Sequence, residues 1–116
     1  MLVCAAVGND GLIDPRWGRA ERVAVADVVA DVAGDAIGDW QEFDVGWGVA
    51  HEAGSEARHH ARVARFLREH GVEMVVADHM GEGMLRMLET MHIAVRLGAS
   101  GPARQAVNDS VRRHAR

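Results

Sequence analysis

Apolar positions along the chain follow two different rhythms. Leu2–Val7 is a continuous apolar run with no polar alternation, ended by Gly8-Asn9-Asp10-Gly11. Such a run predicts a central strand covered on both faces, and Glu73–Ala77 has the same character. Arg22–Val29, rich in valine, predicts a second strand. Asp31–Asp35 turns the chain, with Gly34-Asp35 as a hairpin signal, into a more polar strand over Ala36–Val45 whose mixed faces suit a sheet edge. Ile93–Leu97 is the last strand.

Between these runs the period becomes helical. Gly46–Gly54 reads as a glycine-rich loop. Ser55 then caps a helix that runs to His70 and stops at a left-handed Gly71, with His60, Val63, Ala64 and Leu67 as its inward stripe. Gly81-Glu82-Gly83 leads into a helix with Met84, Met87, Leu88 and Met91 inward. Gly98-Ala99-Ser100-Gly101 and Pro102 open a final helix with Ala103, Ala106, Val107 and Val111 inward. The order β-β-β-α-β-α-β-α with right-handed crossovers makes strands one, four and five a buried parallel core, extended on one side by the hairpins. The expected fold is α/β: three layers, α/β/α, around an open mixed five-stranded sheet, as one domain over residues 1–116.

Composition and charge narrow the function. Of 116 residues, 48% are hydrophobic and 26% charged, which suits a folded domain rather than a disordered chain. The apolar runs fall short of a bilayer span, and Met1–Val7 lacks a basic leader, so a cytoplasmic protein without a membrane partner is expected. Cys4 is the single cysteine, leaving no disulfide framework and no thiolate-held metal within one chain. Net charge is −4, and all 13 basic residues are arginine. Without lysine there is no Schiff-base chemistry and no phosphate-loop lysine. Arg58, Arg62, Arg65 and Arg68 recur along one helix, a spacing that reads as a solvated face rather than a nucleic-acid footprint.

In open α/β sheets a ligand crevice forms beyond the carboxyl ends of the parallel strands. Three segments converge there: Gly8-Asn9-Asp10, Asp78–Gly83 and Gly98–Gly101. The last two open helices, whose free N–H groups and glycine approaches suit an anion. The seven histidines divide by position. His70 and His92 sit at helix ends, and His114 lies in a basic tail. His51 and the pair His59-His60 flank the glycine-rich loop and the first helical turn. His79, beside Asp78 and near Glu82, reads either as a metal ligand or as a strand-end imidazole bonded to a carboxylate. Met84, Met87 and Met91 read as core filling, and Cys4 as inert packing. Trp40 and Trp47 either mark a partner surface or cap the core.

Several segments, taken in order, resemble a known family. Asp14-Pro15-Arg16-Trp17-Gly18-Arg19-Ala20, His70–Ala77, Met80-Gly81-Glu82-Gly83-Met84 and Gly98-Ala99-Ser100-Gly101 are similar to consecutive segments of the dinitrogenase iron–molybdenum cofactor biosynthesis family, the NifX and NafY-like proteins. The resemblance spans nearly the whole chain. It implies a ribonuclease H-like fold and a non-catalytic carrier of an iron–sulfur or iron–molybdenum cluster or its precursor. It also implies a cluster-handling protein as partner and a role in nitrogen fixation. It adds Arg16 and Arg19 to the Asn9, Gly81, Gly83, Ser100 and Gly101 of the crevice as the expected cofactor pocket, and His60, His59 or His51 to His79 as the expected source of the metal bond. Asp78 and His79 stand where members carry a glycine pair, and Glu82 where they carry proline, a set that would also suit a bare cation. Two other readings stay open: a cofactor-free interaction domain, and a ribonuclease H-like nuclease. The nuclease needs clustered carboxylates for two metal ions, and the first strand has none.

Overall fold

The computed structural model describes residues 1–29, 36–52 and 54–114. Its elements in chain order are β1 (Leu2–Ala6), a short 3-10 helix (Trp17–Arg19), β2 (Arg22–Val28), β3 (Ile37–Asp44), α1 (Trp47–Glu52), α2 (Glu56–Glu69), β4 (Met74–Val76), α3 (Glu82–Thr90), β5 (Ala94–Arg96) and α4 (Ala103–His114). The strands form one mixed sheet in the order β3-β2-β1-β4-β5. β1 pairs antiparallel with β2 and parallel with β4, and β4 pairs parallel with β5. β2 and β3 are antiparallel, with an irregularity at Asp27/Val28. The hairpin turn expected at Asp31–Asp35 lies outside the described residues.

Alternation along β1 sorts the core into two sets, since successive strand side chains point to opposite faces. Cys4 and Ala6 pack with Val63 and Leu67 of α2 and with Met84 and Leu88 of α3. Val3, Ala5 and Val7 pack with Ala103, Val107 and Val111 of α4. β1 is therefore buried on both sides, which is why its sequence shows no polar alternation.

Two expectations are corrected, and one of the two readings of Trp47 is decided. The segment expected to be a glycine-rich loop is largely the helix α1. Its Gly48 serves close packing, because a Cβ there would lie 2.9 Å from the Arg19 carbonyl oxygen. Trp47 is consequently not a surface marker but a core residue, 1% exposed and edge-on to Trp17 at 5.2 Å between ring centroids. The inward histidine of α2 is His59, 2% exposed, and not His60. His59, Val63 and Leu67 are the buried stripe, while Ala64 is half-buried. Phe66, packed against the core and stacked with His70 at 4.3 Å, sets this phase.

The expected ends of α2 stand. Gly71 has φ 63°, and Ser55 accepts a bond from the Arg58 N–H at 3.2 Å as the cap of α2. On α4 it is Ser110 rather than Ala106 that is buried, its hydroxyl donating to the Ala106 carbonyl at 2.7 Å. Trp40, on β3, is half-buried beneath the Arg104 guanidinium at 5.2 Å and donates its indole N–H to Glu42. Among the described residues no helix is long and apolar enough to cross a membrane.

Candidate functional site

The chain leaving β1 determines the site. After Val7 it turns through Gly8–Gly11, and Asp14 then organises the entry to the 3-10 helix. Its carboxylate accepts from the Arg16 N–H at 2.9 Å and from the Arg16 guanidinium at 3.3 Å. The backbone at Arg16 bridges to His79, in the turn after β4. This brings Trp17–Arg19 beside the first turn of α2 and the opening of α3.

Together these segments enclose a cleft of ≈300 Å³. Arg16 and Arg19 stand on one wall, His59, His60 and Glu56 on α2, and His79, Gly81, Glu82 and Gly83 at the β4–α3 turn. Met80 and Met84 add thioethers to the lining.

The imidazoles are not equivalent. His59 forms the floor: both its ring nitrogens are shielded from solvent, and Nε2 lies 3.6 Å from where a Cβ on Gly18 would sit. His60 is accessible, its Nε2 3.9 Å from Glu56 Oε1, and it leans over α3 so that a Gly83 Cβ would come within 3.0 Å of Cε1. His79 is on the rim, 74% exposed, with Nδ1 3.7 Å from Asp78 Oδ2. His51 belongs to α1, but its side chain lies outside the described part of the structure.

The cleft's charges nearly cancel in number but differ in freedom. Arg16 is tied to Asp14, whereas Arg19 makes no ion pair among the described residues. Gly81 caps α3 without a side-chain bond, and the first helical bond runs from the Leu85 N–H to the Gly81 carbonyl. The N–H groups of Glu82, Gly83 and Met84 therefore remain open at a positive helix end. Glu82 and Glu56 oppose an anion there. Among the described residues no three of His, Cys, Asp or Glu converge as a metal-ion site, so the cleft offers monodentate donors and positive dipoles rather than a preassembled cage. Cys4 lies in the core, where burial pushes its thiol pKa far up, which removes it as a ligand.

Not every expected residue joins this site. Asn9 lines an adjoining polar groove with Glu21, Arg22 and Asp44, which shares Arg16 with the cleft but none of its histidines. Ser100 lines another cleft, against α4, and the carbonyl of Gly101 accepts from Ile13 N–H at 2.9 Å. The cause is topological: α3 and α4 pack on opposite faces of the sheet, so their two N-terminal turns open to opposite sides. A pocket shared by both glycine turns does not form. Sequence reasoning missed Glu56 as a cleft residue. The position of Glu56, one turn before His60 on α2, was the available signal.

Comparison with known proteins agrees with this architecture. The family model described as dinitrogenase iron–molybdenum cofactor matches residues 1–113. Among solved structures, PH0822 superposes with a TM-score of 0.72 at 15% identity, covering 96% of this chain and 88% of that one. The apo form of the orange protein from Desulfovibrio gigas gives 0.71 at 24% identity, with 95% and 86% covered. A Thermotoga protein (TM1290) named as a NifB candidate gives 0.66 at 20% identity, with 94% and 85% covered. No curated protein matches the sequence.

Proposed function

The chain belongs to the dinitrogenase iron–molybdenum cofactor family, and from that premise we propose that it is a non-catalytic carrier that holds an anionic metal cluster in the Arg16–Met84 cleft. The cargo is an iron–sulfur or iron–molybdenum cluster or its precursor, received from and passed to a cluster-handling protein. The observation that carries the reading is the convergence of three imidazoles, an unpaired arginine and an uncapped helix N-terminus on one cleft. Within this reading the sheet and helices form a three-layer, ribonuclease H-like domain working in the cytoplasm, in a pathway such as nitrogen fixation.

Uptake proceeds by ligand exchange. Arg19 and the open N–H groups of α3 attract the anion, because fixed donors and dipoles stabilise charge without reorganising. The accessible imidazoles, His60 and His79, supply the metal bond. His59 is sealed below them and supports the wall. Single imidazole bonds, rather than a chelating cage, leave the cargo exchangeable, as a carrier requires.

Anaerobic reconstitution with iron and sulfide tests this. Visible charge-transfer absorption is expected in the native chain, and it should shift or vanish in His60→Ala and His79→Ala. No absorption in the native chain, or absorption in both variants unchanged from the native chain's, would contradict the proposal.

A further inference from the structure

The α4 face of the sheet carries a second cleft, of ≈340 Å³, between the Gly98–Gly101 turn and α4. We propose that it binds a compact oxyanion, a phosphate or carboxylate group, independently of the cluster cleft. Ala94 packs on the α4 face and Val95 on the other, so alternation along β5 directs Arg96 toward α4. Arg113, in the last turn of α4, lines the same cleft. Neither arginine makes an ion pair among the described residues. Asp109 also lines it, so two guanidinium groups stand against one carboxylate, an excess of one positive charge.

The backbone adds donors. The N–H of Ser100, which lines the cleft, and that of its neighbour Gly101 make no hydrogen bond among the described residues. The turn that carries them is fixed: Gly98 N–H donates to the Asp78 carbonyl at 2.7 Å and Ala99 N–H to the Ala77 carbonyl at 3.1 Å. Gly98 and Gly101, at φ 81° and 77°, hold a conformation that side chains disfavour. Alanine at 99 and 106 keeps the cleft open. Guanidinium groups and free amides lining one cleft are the donors that a compact oxyanion takes.

Titrating the full chain with inorganic phosphate, and separately with acetate, at constant ionic strength under ¹⁵N–¹H NMR tests the site. Saturable shifts of the Ser100 and Gly101 amides are expected with at least one of the two, and the arm that saturates names the ligand class. Arg96→Gln or Arg113→Gln should weaken that binding about tenfold or more, while Arg86→Gln on α3 leaves it unchanged. Shifts that fail to saturate, that chloride reproduces, that persist in both arginine variants, or that fall only on Gly81–Met84 would overturn it. Because the reporters lie on the opposite face from His60, these outcomes are distinct from failure of cluster loading.

Discussion

Gly83 separates stability from function at the residue scale. It sits in the first turn of α3 with helical backbone, where alanine removes the entropic cost of glycine, worth about 0.5–1 kcal/mol. The added methyl would press on the His60 ring at 3.0 Å. Gly83→Ala is therefore expected to leave the thermal midpoint level or slightly raised, while displacing His60 and reducing cluster loading. Calorimetry and the reconstitution assay read the two effects separately. Cys4 supplies a pH prediction. Burial holds its thiol neutral in the folded state, so above the ordinary thiol range the unfolded chain loses a proton that the folded chain keeps. Stability is expected to fall as pH rises through that range, and Cys4→Ala should flatten the fall in denaturation curves. Placing His60 rather than His59 inward was the residue-scale error of periodicity, since both fit helical spacing with Val63 and Leu67. Phe66 against Ala64 was the signal: burying the larger apolar side chain rotates the stripe by one position.

Elements show which patterns survive translation into structure. Continuous apolar strands, the Ser55 cap and the Gly71 stop were legible because each depends on local chemistry. α1 was not, because its glycine serves contact with the 3-10 helix, and close packing leaves the same mark in sequence as a turn. The cap of α2 bears directly on the cleft, since His59 and His60 lie in the turns it anchors. Ser55→Ala should cost about 1 kcal/mol by losing the bond to the Arg58 N–H. It should also weaken cluster retention, as read by chemical denaturation and by absorbance after gel filtration. α3 gives a prediction of the opposite sign. Glu82 stabilises the helix end but occupies the same dipole field as an anion. Glu82→Gln is expected to lower stability by a few tenths of a kcal/mol and to raise affinity for an anionic cluster.

At the scale of the whole molecule, strand order decides what can meet. With β1 central and β4 beside it, the loop after β1 reaches the β4–α3 turn, and Arg16 comes to lie against His79. That the loop after β1 meets the β4–α3 turn was expected from the strand types and right-handed crossovers, while the place of Arg16 there followed only from the family resemblance. Which face each helix covers was not readable, and it separates Ser100 from the histidines and divides one imagined pocket into two clefts. The central claim is therefore a statement of place: cargo sits between the 3-10 helix, α2 and α3. The most direct test loads the chain anaerobically with a paramagnetic iron–sulfur cluster and maps amide signal loss by NMR. Signals of Trp17–Arg19, His60 and Gly81–Met84 should broaden beyond detection while those of α4 persist. Broadening centred elsewhere, or none at all, would contradict the account.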